Sequence, residues 1–357
     1  MNFSAGPAGL PTPALERARD ELLDYRGVGA SIMELSHRGP EYDEVHHDAL
    51  DKVRTLLAVP DSHQVLLLQG GATGMFGLLP LNYLGPGTSA DYVMTGAWSD
   101  KALAAARTIG RAREAGHGRV DGTYRRVPGP TELDVDPDAR YLHYTANNTI
   151  VGSQFPGVPE SPVPLVSDMS SEIMARPLDV ARFALIYAGA QKNLGPSGVV
   201  LVIAERDFLA RGSADIPEIF RLSSHAAKDS LLHTPPTFAI YLVRNVLDWI
   251  LEQGGVEAMA LRNREKADRL YAAIDGSGGF YRCPVEPESR SVMNVVFRLP
   301  TPELEARFVE EATEERMIGL KGHRSVGGIR ASIYNAVSLA GVERLTGFMA
   351  DFARRAG

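Results

Sequence analysis

An α/β fold is predicted: a large unit built on a mostly parallel sheet with helices on both faces, followed by a smaller α+β unit. Three observations predict it. Short β-rich runs alternate with helical stretches in the first two thirds of the chain, which is the pattern of βαβ units. Beyond about residue 236 the texture changes to long helices with few strands between them. A chain of 357 residues is also long for a single core of ordinary size. The boundary falls near residue 253, giving units at 13–252 and 253–357, and the segment 1–12 is expected to pack on the smaller one.

The elements follow in order. The apolar run 65–68 predicts a buried strand that Gly70-Gly71 breaks, and a helix follows over 72–83. Residues 91–94 predict a strand and 99–108 an Ala-rich helix. More short strands are predicted at 141–144, 164–167, 184–187 and 199–203. The run Tyr42-Asp43-Glu44-Val45-His46-His47 reads as an exposed helix face. In the last part, 238–253 and 258–274 predict long helices, the second stopped by Asp275-Gly276-Ser277-Gly278-Gly279. A strand at 292–298, a helix at 302–315, a strand at 329–334 and a helix at 341–355 complete the chain, with no internal repeat.

Composition excludes several classes. Hydrophobic residues at 44% and charged residues at 23% give a globular balance rather than a disordered one. No apolar run approaches the roughly 20 residues of a membrane helix. The first residues, Met1 to Pro7, have no secretory pattern. One cysteine, Cys283, allows no internal disulfide, so a reducing cytoplasm is expected. A net charge of −7 without a Lys/Arg block argues against a nucleic-acid surface. Nine histidines without HExxH or Cys/His ligand spacing give no metal site.

The strongest chemical signal is Ile186-Tyr187-Ala188-Gly189-Ala190-Gln191-Lys192-Asn193. A buried strand runs through small residues into a lysine. Poor hydration there lowers the amine toward neutrality, and a neutral amine forms a Schiff base with an aldehyde. Alone, the motif is only suggestive, since a random lysine of this kind is far more often a surface lysine on a strand-to-loop turn. The strand 164–167 ends in Asp168, and ligands of open α/β sheets bind outside the carboxyl ends of strands. A carboxylate there can keep the pyridine nitrogen of pyridoxal 5′-phosphate (PLP) protonated, whereas alone it reads as a helix cap. One βαβ crossover between Asp168 and Lys192 can carry both into one cleft. Gln69-Gly70-Gly71-Ala72-Thr73-Gly74, between strand and helix, suits a phosphate but lacks the Walker lysine and the GxGxxG spacing. Three basic clusters, Ser36-His37-Arg38, Lys321-Gly322-His323-Arg324 and Gly328-Ile329-Arg330, suit bidentate binding of a doubly anionic substrate, though each alone is also ordinary surface.

Together these motifs resemble one family over essentially the whole chain, the phosphoserine aminotransferases, class V aminotransferases with the type I PLP fold. The resemblance runs through Asn2-Phe3-Ser4-Ala5-Gly6-Pro7, Ser36-His37-Arg38-Gly39, Ala188 to Asn193, Thr234-Pro235-Pro236-Thr237-Phe238, and Lys321-Gly322-His323-Arg324 with Gly327 to Asn335. It implies a sheet of the seven-stranded type, PLP as cofactor, and amino transfer between glutamate and a phosphorylated keto acid in serine biosynthesis, with a related phosphorylated substrate of vitamin B6 synthesis as a further candidate. It implies Lys192 as the Schiff-base lysine and Asp168 as partner of the ring nitrogen. Trp98 matches the ring-stacking residue and Thr149 the partner of the phenolic oxygen. Ala72, Thr73, Ser170 and Gln191 match phosphate ligands, joined by His233 and Thr234 from a neighbouring subunit. Arg330 matches the clamp on the α-carboxylate. His323 and Arg324, with His37 and Arg38 of the other subunit, match the receptor for the distal anion, so a homodimer with shared sites is implied. The chain departs from the family pattern at Ala72-Thr73, Asn148 and His233.

Overall fold

The computed structural model describes residues 1–356; Gly357, the end of the second predicted unit, lies outside the described residues. In chain order the elements are α1 (Thr12–Asp20), α2 (Pro40–Leu56), β1 (His63–Gly70), α3 (Ala72–Tyr83), β2 (Ser89–Met94), α4 (Ala97–Arg107), β3 (Arg111–His117), β4 (Arg119–Val120) and β5 (Thr123–Tyr124). Then come β6 (Leu142–Thr145), β7 (Asn147–Asn148), β8 (Ser153–Gln154), β9 (Leu165–Asp168), β10 (Leu185–Gly189), β11 (Gly198–Glu205), α5 (Arg206–Ala210), α6 (Leu222–Ala226) and α7 (Thr237–Glu252). The chain continues with α8 (Gly255–Asp275), β12 (Asn294–Phe297), α9 (Pro302–Glu314), β13 (Ile329–Ser332) and α10 (Leu339–Ala356).

Seven strands form one sheet in the order β1-β11-β10-β9-β6-β2-β3. β10, β9, β6, β2 and β3 are parallel, whereas β11 runs antiparallel to both β10 and β1. Only residues 190–197 join β10 to β11, fewer than a crossover to a parallel neighbour needs. Every strand but β11 therefore ends at the same edge, which collects Gly70, Met94, Thr145, Asp168 and Gly189. The strands inside the edge are largely apolar on both faces because both faces are covered. Leu67, Leu165, Ile186 and Leu201 join the layer of α2 and α7, while Leu66, Val166, Tyr187 and Val202 join that of α3 and α4. Successive strand residues point to opposite layers, so a continuous apolar run serves both.

Two expectations are corrected. The connection from β9 to β10 holds no α-helix: residues 169–184 run through turns and one 3-10 turn at Val180–Arg182. Pro177 sits in the middle of this segment, where it removes a helix donor and restricts its predecessor. The run 42–47 is not an exposed face either. Tyr42, Val45 and His46 are fully buried and continue as Ala49, Leu50, Val53 and Leu56, the inner stripe of α2. The charges that masked this stripe, Asp43 and Glu44, lie on the outer side of the same turns. β3 has no counterpart among the predicted strands. It is the edge strand, and Arg111, Arg113 and Glu114 give it the charged texture that protects an edge.

A further apolar cluster gathers α8, α9, α10, β12 and β13 around Phe297, Phe308, Phe348 and Phe352. The start of the chain joins it: Phe3 is fully buried there, its amide donates to Ile318 O at 2.9 Å, and its carbonyl accepts from Ser332 N at 3.1 Å. Buried amide side chains tie this cluster to the sheet. Asn147 Nδ2 donates to Asn294 Oδ1 at 2.7 Å, Asn335 N donates to Asn193 Oδ1 at 3.0 Å, and Asn263 Nδ2 donates to Asn335 Oδ1 at 2.8 Å. Paired buried polar groups of this kind favour one arrangement of their neighbours.

Candidate active site

A cavity of about 380 Å³ opens at the strand edge. It brings together Ala72, Thr73, Trp98, Thr149, Asp168, Ser170, Gln191, Lys192, His323 and Arg330 from the predicted set. It does not bring in His37, Arg38, His233, Thr234 or Arg324.

Lys192 is held by the turn that ends β10. Leu194 N and Gly195 N both donate to Ala190 O, at 3.1 and 2.8 Å, and close that turn. The N-terminal segment lies across it, with Ala8 N donating to Gln191 O at 2.9 Å. A Cβ on Gly6 would sit 3.5 Å from Lys192 Cγ, and Gly6 has φ +144°, a conformation that favours glycine. Lys192 Nζ stands 5.7 Å from the centre of the Trp98 ring. Burial pushes the Lys192 amine down to about 8; Asp168 opposes the shift and Arg330 adds to it.

Asp168 ends β9 beside β10, in register with Tyr187, and beside β6, in register with Thr145. Its Oδ1 accepts from Ser170 Oγ at 2.6 Å and from Ser170 N at 3.0 Å. Ser170 Oγ in turn accepts from Gly189 N at 2.9 Å. Burial raises the Asp168 carboxyl above its ordinary range, while the Lys192 ammonium and the two Ser170 donors pull it down. Ser170 is expected as a phosphate ligand. Its hydroxyl here gives its proton to Asp168 Oδ1.

The rest of the wall is anion-binding and aromatic. α3 starts at Ala72 with no side-chain cap and its first turn lines the cavity, which leaves the Ala72 and Thr73 amides for an anion. Trp98 Nε1 donates to Thr149 Oγ1 at 2.8 Å, so the Thr149 hydroxyl keeps its own proton to give. Arg330 leaves β13, donates through Nη1 to Thr149 O at 3.2 Å, and has a buried Nε without a partner. His323 Nδ1 bonds Ser325 Oγ at 2.7 Å; burial lowers its pKa, as do the neighbouring charges of Arg330, Arg324 and Lys101.

Residue-by-residue reasoning passes over Thr145. Its Oγ1 is buried without a partner, lines the cavity and flanks Asp168. Its signal was its place at a strand end, but only the order of strands shows that this end adjoins Asp168. The donor set fits PLP: an uncapped helix start for a phosphate, a tryptophan for a flat ring, a carboxylate for a ring nitrogen and a depressed lysine for an aldehyde. The orphaned Thr145 and Arg330 atoms leave further polar capacity there. Among the described residues no His, Cys, Asp or Glu cluster could hold a metal ion.

Comparison with known proteins agrees with this chemistry. The family model for class V aminotransferases matches residues 1–345. The phosphoserine aminotransferase of Laribacter hongkongensis is 52% identical over 356 residues, covering 100% of this chain and 99% of that protein. The solved phosphoserine aminotransferase of Bacillus circulans subsp. alkalophilus has a TM-score of 0.97 and 49% identity, covering 100% of this chain and 99% of its own. A phosphoserine aminotransferase structure concerned with radiation damage of its Schiff base also has a TM-score of 0.97, at 48% identity and 99% coverage of both chains.

Proposed function

Because the chain belongs to the phosphoserine aminotransferase family of class V aminotransferases, we propose that this cavity moves an amino group between L-glutamate and 3-phosphohydroxypyruvate, giving O-phospho-L-serine and 2-oxoglutarate. The chain is a PLP-dependent aminotransferase. PLP supplies an electron sink joined to the substrate's Cα. One observation carries the residue assignment: Asp168 and Lys192, from the ends of adjacent parallel strands, share one cavity.

In this reading Lys192 would hold the cofactor covalently as a Schiff base. Its amine, about half neutral at pH 8, would be placed to take the proton from the substrate's Cα. Asp168 would pair with the ring nitrogen, Trp98 would stack on the ring, and Thr149 would donate to the phenolic oxygen. The Ala72 and Thr73 amides and Gln191 take the phosphate. Arg330 clamps the α-carboxylate common to both substrates. His323 and Arg324 take the distal anion, which is a carboxylate in one half-reaction and a phosphate in the other.

The remaining predicted residues, His37, Arg38, His233 and Thr234, act from a second copy in a homodimer. Exposed apolar side chains support this. Leu23 (84% exposed) and Met33 (50%) lie in the segment before His37 and Arg38, and Phe220 (46%) lines one apolar groove together with His233. Two further readings belong here. Residues 13–252 and 253–357 act as two units, supported by a second apolar cluster drawn from Phe3 and residues 267–352, although Val256 and Met259 of α8 pack into the first. The enzyme works in the cytoplasm, supported by one free cysteine; no helix among the described residues is long and apolar enough to cross a membrane.

A donor and acceptor panel on PLP-loaded protein tests the reaction. Glutamate with 3-phosphohydroxypyruvate should be the preferred pair, and 4-phosphohydroxy-L-threonine tests the vitamin B6 substrate. Faster turnover with pyruvate or glyoxylate would overturn the assignment. Asp168→Asn should lower turnover by roughly 100-fold or more, since a charge partner is lost from a site shielded from water. Near-normal turnover would remove Asp168 from the mechanism.

A further inference from the structure

Ser170 stands where three backbone and side-chain bonds meet. Its amide and its hydroxyl both donate to the same oxygen of Asp168, at 3.0 and 2.6 Å. The hydroxyl is oriented by the Gly189 amide, which donates to it at 2.9 Å from the end of the neighbouring strand β10. All three residues are buried. Gly189 N is thus linked through one hydroxyl to Asp168 Oδ1, and the direction of the chain is fixed because an amide can only donate. Oδ1 holds two donors, while Oδ2 has none within the chain among the described residues, and Asp168 lines the cavity. The two carboxylate oxygens are therefore unequal: one is anchored to the protein and the other is left for a ligand.

We propose that Ser170 is a positioning residue that turns Asp168 so that its unanchored oxygen faces the ring nitrogen of the cofactor and holds the carboxylate in its ionised form. The inference rests on the assignment of Asp168 to that ring nitrogen. It differs from a phosphate-ligand role, because a hydroxyl that gives its proton to Asp168 has none left for a phosphate. The titratable groups nearest Asp168 are Lys192 and Tyr187. Neither donates a hydrogen bond to it, which leaves Ser170 as the source of both donors.

The test uses the PLP-loaded protein and a readout that needs no substrate. A protonated ring nitrogen withdraws electrons from the link between Lys192 and the cofactor, and so lowers the pH at which that link loses its proton and changes colour. In Ser170→Ala the carboxylate loses one donor and its orientation, so the colour change should move up by about one pH unit. kcat should fall roughly 10- to 100-fold, the loss expected for one hydrogen bond to a charged group, with KM for glutamate changing far less. Ser170→Thr keeps the hydroxyl and should restore both values toward those of the parent. Should Ser170→Ala not fold, Ser170→Cys supplies a weak donor of similar size and should show the same shift. A colour change at the parent pH in a folded Ala or Cys variant overturns the proposal. So does weaker retention of PLP with an unshifted colour change, since that is the signature of a phosphate ligand. If the parent protein binds PLP but does not transfer amino groups between the proposed substrates, the functional reading fails, and the colour titration still decides the role of Ser170.

Discussion

At residue scale, the environment of Lys192 sets the pH at which it can act. Its amine is pushed down from 10.5 to about 8 by burial, and only the neutral amine attacks an aldehyde. The sign follows directly. Below pH 8 most of the amine is protonated, so the rate at which cofactor-free protein captures PLP should rise roughly tenfold per pH unit, then level off above 8. A lysine on an open turn would keep gaining rate toward pH 10.5. Stopped-flow absorbance over this range separates the two. The two arginines near the cavity differ in the same way. Arg330 is half-buried with a free Nε, whereas Arg324 is exposed. Arg330→Ala should impair both half-reactions. Arg324→Ala should impair the phosphorylated keto acid more than glutamate, by about 2–5 kcal/mol if closure removes water from the pair. Single-turnover rates for each half-reaction measure this, and equal losses would count against a divided pocket.

At the scale of elements, Arg330 depends on what holds the segment after β13. Lys266, buried on α8, donates to the carbonyls of Ile333 at 2.8 Å, Tyr334 at 2.7 Å and Val337 at 3.0 Å. These are the first residues beyond the strand that carries Arg330, and Asn335 within the same segment donates its amide to Asn193, next to Lys192. Lys266→Leu keeps most of the volume but leaves carbonyls unpaired in a buried place. The expected cost is about 3–5 kcal/mol of stability, read by urea unfolding. A loss below about 1 kcal/mol would mean that water or neighbouring donors replace the amine. The first turn of α3, like that of most helices in this chain, has no side-chain cap, and its amides line a cavity suited to an anion.

At the scale of the molecule, the site is incomplete within one chain if the distal anion needs His37 and Arg38, which lie outside the cavity. Sharing across a two-fold axis has a measurable consequence. Lys192→Ala and Arg38→Ala chains, each inactive as a homodimer, should regain activity when mixed and allowed to exchange. A heterodimer places both intact halves in one of its two sites, so random exchange should restore about a quarter of the parent activity. Proven exchange without rescue would contradict a shared site. The buried amides joining the sheet to the C-terminal cluster bear on the same scale. They hold Arg330 and Lys192 in one frame.

By itself the sequence determined the alternation of strands and helices, the large parallel sheet, and the strand ends that carry Asp168 and Lys192. These are local signals: apolar runs, glycines that stop them, and polar residues placed directly after them. The long helix α3 is read to its ends for the same reason, since Gly71 and the following apolar stretch bound it. α2 was only half legible, because its buried stripe shares turns with charges, and β3 was not legible, because an edge strand does not carry a buried strand's pattern. Which strand lies beside which was decided by tertiary structure alone. That order puts Thr145 next to Asp168, and it brings Gly189 N within reach of the Ser170 hydroxyl, which donates to Asp168. A hydroxyl's role depends on where its single proton goes, and that is set by neighbours distant in sequence.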